Sequence, residues 1–291
     1  MLSYKYKGEI MVSLTILSEN RDNCEFKGES GLSVLVEVFG KKFLLDTGYS
    51  DLFLKNAKLL NIDLSTIETV VLTHGHSDHT NGIPFLGAGK TIIMHPEAFK
   101  KRWSIRKKEF AGFPMTEEEL RKRHNVITSR EPIQFMDGCY FLGEIPMKID
   151  FEKGNFSTTL DDQFTQTDLT EDDSGIAIKT SEGLLVMTGC GHRGICNTIE
   201  QAKKVTGQQK IYGVFGGFHL RNLEKQKGVI DKTIEYFKKH EVKALYLGHC
   251  VTDEVIDYFE ENLPEVNVTR LSAGKKINIP QLSKEPAAKT I

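Results

Sequence analysis

The sequence predicts an α/β protein folded as a four-layer αββα sandwich, two mixed β-sheets face to face with helices on the outer faces. Three observations lead there. Short runs of alternating apolar and polar residues recur along the chain, as half-buried strands require. They fall into two halves with one order of elements: strand, strand, Thr-Gly, helix, strand, His-bearing loop, and later a strand ending at a further His. The His-bearing loops follow strand C-termini, so packing the halves as layers gathers them along one edge.

In the first half, residues 11–17 are strand-like, and residues 34–38 and 42–45 pair across the Gly40 turn, ending at Asp46-Thr47-Gly48. A helix is expected over 51–60, with Phe53, Ala57 and Leu60 on one face. A strand over 69–73 leads into a cluster of histidines, and a strand over 91–94 ends at His95. In the second half, 176–180 and 184–188 form a hairpin across Glu182-Gly183. A helix over 198–205 follows, with Asn197 as its cap, Glu200 three residues on and Gly207 closing it. Strand 210–215 runs into Gly216-Gly217-Phe218-His219, and helix 224–239 and strand 243–247 lead to His249. Residues 96–173 interrupt this order. They are read as an inserted cap or rim within a single domain spanning 1–291. The cap has a basic run at 100–108, a helix at 115–123 with Thr116 as cap and Glu119 at its third position, and a polar stretch over 155–173.

Composition excludes several classes. The chain has 291 residues, 39% of them hydrophobic, which suffices for one large packed domain. A net charge of −2 gives no footprint for bulk nucleic-acid binding. No apolar run reaches the roughly 18 residues of a membrane span. The five cysteines include no C-x-x-C pair, and the N-terminus lacks a signal-peptide apolar region. A cytoplasmic protein with free thiols is expected, its translation starting at Met1 or Met11.

The stretch that carries chemistry is His74-Gly75-His76-Ser77-Asp78-His79. In an extended segment His74 and His76 point the same way and can share one ion. Asp78 and His79, after a tight turn, can take a second. Imidazole and carboxylate together suit zinc, manganese or iron rather than calcium.

This pattern resembles the H-x-H-x-D-H signature of the metallo-β-lactamase superfamily. The resemblance extends to the Asp-Thr-Gly at 46–48 and to the strand ends at 184–192 and 245–250. Gly31-Leu32-Ser33, Gly189-Cys190-Gly191-His192 with Asn197, and Gly216-Gly217-Phe218-His219-Leu220 look like its branch of dihydropterin-6-methyl-4-(ribofuranosyl)aminobenzene-5'-phosphate synthases. The resemblance implies two divalent metal ions, zinc, manganese or iron, held by His74, His76, Asp78, His79 and His249. It makes Asp46 the acceptor that orients a ligand His by its ring N–H.

One strand end departs from the pattern: Cys190 falls where the superfamily has a bridging Asp, and no His precedes it after His124. Either His192 supplies the missing ligand or Cys190 binds as a thiolate. The glycines at 189, 191 and 194 favour folding His192 inward, with Cys190 a small buried residue. His219 is read as a substrate-binding or proton-transfer group, and Asp78 as both ligand and proton acceptor. Lys101, Arg102 and Arg106 are expected to contact a substrate phosphate.

The implied activity is hydrolysis of an ester by metal-activated hydroxide, with a phosphoester or phosphodiester of a small pterin- or ribosyl-type metabolite as substrate. The alternatives are a pterin-forming synthase, as the branch name implies, and a non-catalytic metal-bound sensor or redox module. The latter would want acidic ligands throughout and a flavin partner domain.

Overall fold

Alternation along each strand sends neighbouring side chains into different cores. In the computed structural model, which describes residues 12–279, Val34, Val36 and Val38 enter the central core while Leu35 faces the other way. Phe43 and Leu45 oppose Leu44, and Val71 opposes Val70 and Leu72. The second half repeats this, with Ile176, Ile178, Leu185 and Met187 central and Ala177, Leu184 and Val186 directed outward. Three apolar clusters result, one between the sheets and one under each helical layer. They are the three interfaces of an αββα sandwich, as the sequence predicts.

The first sheet runs, edge to edge, Lys276–Ile279, Val12–Ser18, Ser33–Val38, Lys41–Leu45, Thr69–Val71, Thr91–Met94 and Asn125–Thr128. The second runs Asn267–Arg270, Ala244–Leu247, Ile211–Gly216, Gly183–Thr188, Gly175–Thr180, Cys139–Phe141 and Ile133–Met136. Each combines an antiparallel half with a parallel half, the parallel pairs beginning at Lys41–Leu45 in one and Gly183–Thr188 in the other. Helix Leu52–Leu59 covers the first sheet, and Ile195–Thr206, Leu223–Lys239 and Asp253–Asn262 cover the second. Among the described residues no helix is long and apolar enough to cross a membrane. The question of Met1 or Met11 lies outside the described residues.

Two readings of local sequence are corrected. Residues 125–141 are not part of an insertion: they supply an edge strand to the first sheet and a hairpin to the second. Each of these strands has only three or four residues, too few for alternation to stand out. Asn197 is not a helix cap. The helix begins at Ile195 after Gly194, and Asn197 Oδ1 instead accepts from the backbone N–H groups of Lys148 and Ile149 at 2.7 and 2.9 Å. Elsewhere the signals correspond to structure. Thr116 and Glu119 form a reciprocal capping box, and Gly207 closes its helix at φ 71°.

Candidate metal centre

Strand Thr69–Val71 delivers the His cluster to the rim where both sheets end. Gly75 passes so close to Ala98 that a Cβ would lie 2.0 Å from its carbonyl oxygen. Short helix Ser77–Thr80 then turns His79 back toward the sheet. Six of the nine histidines converge here: His74, His76, His79, His192, His219 and His249.

They form two donor sets. In one, ligand atoms of His74, His76 and His192 all lie within 4.8 Å of one another, with His74 Nε2 3.1 Å from His76 Nδ1. In the other, Asp78, His79 and His249 are grouped within the same limit, and His79 Nε2 is 3.0 Å from His249 Nε2. His192, expected to fold inward, brings a ring nitrogen into the first set. Cys190 is also close, its Sγ 3.3 Å from His79 Nε2.

The surrounding contacts orient these rings. Asp46, wholly buried and at φ +53°, accepts from the Thr73 backbone N–H and hydroxyl, both at 2.8 Å, and from His79 Nδ1 at 2.8 Å. That leaves His79 Nε2 facing His249. His192 Nδ1 donates to the Asn155 carbonyl at 2.7 Å, and its buried Nε2 has no protein partner. Residues 19 and 20 hold His249: Glu19 accepts from its backbone N–H, and Asn20 Oδ1 lies 3.2 Å from its Nδ1. His219 and His249 adopt φ of +53° and +54°, left-handed conformations that the packing must impose on non-glycine residues.

Burial, with His79 and His76 nearby, pushes His74 well below the ordinary imidazole range, and burial does the same to His192 and His219. Burial and His79 lower His249 to about 3. For Asp78 burial acts the other way, but His79 and His249 outweigh it and hold its carboxyl well below the usual range. Burial likewise opposes charge on His79, yet Asp78 and Asp46 raise it to about 9. A buried, mostly neutral set of imidazoles with an unpartnered Nε2 and an ionised carboxylate is the donor chemistry that a divalent metal needs.

A cavity of about 110 Å³ opens beside the two sets, lined by His76, Asp78, Cys190, His192 and His219 together with Arg106, Lys107, Arg221 and Thr158. Arg106 therefore reaches the site, while Lys101 is exposed and does not line the cavity. Arg102 corrects an expectation. Its side chain is fully buried, with Nε 2.6 Å from Asp168 and Nη2 2.6 Å from Asp172, so it is a structural cation with no face left for substrate. Sequence reasoning missed Arg221, Glu19 and Asn20. Only Arg221 left a signal, two residues beyond His219. A larger depression of about 650 Å³ near Leu54, Lys58 and Lys90 contains no histidine or cysteine.

Asp173 gives a pH test. Burial raises its carboxyl to about 8, although it accepts from the Arg193 N–H at 2.9 Å. A carboxyl whose pKa is raised on folding stabilises the protein fully below its unfolded value, and that contribution is lost as pH climbs through the folded one. Asp173→Asn should remove the loss. In thermal unfolding of metal-free protein, the variant's Tm should rise relative to wild type steadily from about pH 4 to pH 8. Parallel Tm curves over that range would contradict it.

The comparisons agree with this geometry. Residues 27–88 match the family model of the metallo-beta-lactamase superfamily. A curated relative from Methanocaldococcus jannaschii, named 7,8-dihydropterin-6-methyl-4-(beta-D-ribofuranosyl)-aminobenzene-5'-phosphate synthase, is 35% identical over 88% of this chain and 92% of its own length. A solved metal-dependent hydrolase of the β-lactamase superfamily superposes with a TM-score of 0.79 at 29% identity, covering 93% of this chain and all of that one. Zinc-bound PqqB from Methylobacterium extorquens shares the fold at a TM-score of 0.54 and 14% identity, over 92% of this chain and 100% of that one. With the fold, the clustered ligands and a full-length relative in agreement, the chain belongs to the metallo-β-lactamase superfamily, in the branch that includes the Methanocaldococcus jannaschii synthase.

Proposed function

We propose that the protein is a dinuclear metal-dependent hydrolase of ester bonds in small phosphorylated metabolites of the pterin or ribosyl type. The observation that carries the reading is the facing of two donor sets by three cationic side chains, Arg106, Lys107 and Arg221, in one cavity. His74, His76 and His192 would hold one ion and Asp78, His79 and His249 the other. Zinc, manganese or iron fit the donors. When bound, such ions supply hydroxide at neutral pH and polarise the phosphoryl oxygen.

The chain's own groups do the rest. Asp46 fixes His79 by its Nδ1–H. Arg106, Lys107 and Arg221 bind and orient the phosphate through charge-assisted hydrogen bonds. Asp78 can accept a proton at its carboxylate. His219, neutral and with an unpartnered buried Nδ1, can hydrogen-bond a substrate oxygen or relay a proton there as the neutral imidazole. A second recess of about 160 Å³, lined by Phe151, Phe218, Leu220 and Val229, shares His192 with the cavity. It is suited to a flat apolar ring beside the phosphate.

The protein reconstituted with zinc or manganese should hydrolyse phosphodiesters or phosphomonoesters faster than thioesters or neutral carboxyl esters. Arg106→Ala and Arg221→Ala should each raise KM for phosphorylated substrates roughly tenfold, and together roughly a hundredfold, since a charged hydrogen bond contributes about 1.5 kcal/mol. High salt should shrink the effect. An equal KM change for a neutral ester would mean that the cations shape the opening without reading charge. A second reading, a pterin-forming synthase, is favoured by the name of the 35%-identical relative. Bond formation between a pterin and a phosphorylated ribosyl compound, with no hydrolysis of any ester, would select it.

A further inference from the structure

We propose that Cys190 binds metal as a thiolate shared by the two donor sets, which makes this a thiolate-bridged centre selective for a thiophilic divalent ion such as zinc or iron. The inference rests on reading the histidine cluster as a metal centre. It concerns which atom joins the two halves of that centre.

The geometry of Cys190 carries it. His74 belongs to the first set and His79 to the second, and Cys190 Sγ groups with ligand atoms of both, all within 4.8 Å. The same sulfur is also grouped with His249, again from the second set, and with the Sγ of Cys250. Its 3.3 Å separation from His79 Nε2 is close to the edge of a tetrahedron whose bonds are about 2.0 Å to nitrogen and 2.3 Å to sulfur, roughly 3.5 Å. The neighbouring nitrogens stand 3.0 and 3.1 Å apart, so the sulfur continues one shell of donors.

The approach is built into the strand end. A Cβ on Gly189 would lie 2.2 Å from Thr73 Oγ1 and 3.0 Å from Asp46 Oδ2. Only glycine lets the backbone before Cys190 press against the strand that bears the histidines. The result is a side chain only 2% exposed that points among imidazoles rather than into an apolar core.

No carboxylate competes for the position. Asp46 is occupied by Thr73 and His79, Asp172 by the Gly75 N–H and Arg102, and Asp168 by Arg102 and Thr158. Asp173 is turned to the Arg193 N–H. Asp78 serves the second set alone. Among the described residues, the group that joins the two sets contains Cys190 and no acid. A thiolate there prefers zinc or iron to manganese or magnesium, because soft sulfur ligands select soft and borderline ions.

The test reads the metal rather than turnover. Metal-free wild-type protein is loaded with Co(II) alone, and separately with Zn(II) alone. Sulfur-to-cobalt charge-transfer absorption in the near ultraviolet is expected, with a zinc–sulfur distance of about 2.3 Å by X-ray absorption. Cys190→Ser should abolish both signals and weaken one metal equivalent by more than about a hundredfold. Cys190→Asp should keep two equivalents without sulfur, and Cys250→Ser should retain the sulfur signals. Wild-type protein with two zinc ions and no sulfur neighbour would overturn the proposal, and so would an unchanged cobalt spectrum in Cys190→Ser. A wild-type spectrum without sulfur overturns the proposal even where a variant fails to fold, and so does a sulfur signal that is lost in Cys250→Ser. A clear metal–sulfur signal in a protein that hydrolyses no ester would overturn the proposed activity and leave this centre standing.

Discussion

Replacing His76 and His79 together by Ala is expected to strip both metal ions from a protein that still folds. Each substitution removes a donor from a different set, so neither set keeps more than two of its three grouped residues. The loop carrying them lies beyond the end of its strand, and neither histidine belongs to any of the three apolar clusters. Stability should fall modestly. Without His79, the buried Asp46 carboxylate keeps its Thr73 partners but loses the imidazole, a cost of about 1–3 kcal/mol. A native protein has roughly 5–15 kcal/mol in hand. Activity that depends on the ions should drop by about a thousandfold or more, since metal activation of water accounts for several powers of ten in rate. Elemental analysis alongside circular dichroism checks this. A folded double variant with two metal equivalents would refute the assignment of the cluster.

The histidine loop was legible as a candidate site because its chemistry is local. Four donors within six consecutive residues, after a short apolar strand and before Thr80-Asn81-Gly82, need no long-range information to be recognised. The layers were legible for a similar reason: alternation in 34–38 or 184–188 states which residues face which core without naming the partner strand. What escaped depends on contacts distant in sequence. Glu19 meets His249 across 230 positions, and nothing near either residue marks the pairing. Arg102 sits in a basic run whose local composition suggests a solvated face, while its two partners lie 66 and 70 positions away. Asn197 carries a capping pattern that would be valid in isolation, but the backbone N–H groups of Lys148 and Ile149 donate to its side chain and Glu152 accepts from its backbone N–H. Cys190 was the closest case. The glycines around it signalled a tight approach, but only the fold shows that both His192 and the thiol arrive.

Arg102→Ala should be the most damaging single substitution outside the ligands. Its guanidinium holds two buried carboxylates, Asp168 and Asp172, and donates to the carbonyls of Ala98 and Glu97, each at 3.2 Å. Those carboxylates in turn brace the metal loop. Asp168 accepts from Thr158, whose hydroxyl lies 3.0 Å from it and 3.1 Å from His76 Nε2, and Asp172 accepts from the Gly75 N–H at 2.7 Å. Removing the cation leaves buried, uncompensated charge, which costs about 3–5 kcal/mol. Metal affinity should weaken as well, because His76 loses its support. The pH dependence has a definite sign. Burial opposes the Asp168 charge, but His76 and Arg102 hold its carboxyl below the ordinary range, so its pairing stabilises the protein above the unfolded pKa and is lost in acid. The gap between wild type and variant should therefore hold down to about pH 4 and narrow only as pH falls below it. Arg102→Met combined with Asp168→Asn and Asp172→Asn should recover much of the loss, since neutral replacement of a whole buried ion cluster is often tolerated where removal of one member is not. Urea unfolding of the three proteins measures this directly. If Arg102→Ala unfolded at the wild-type midpoint, the guanidinium would not be the brace that its contacts indicate.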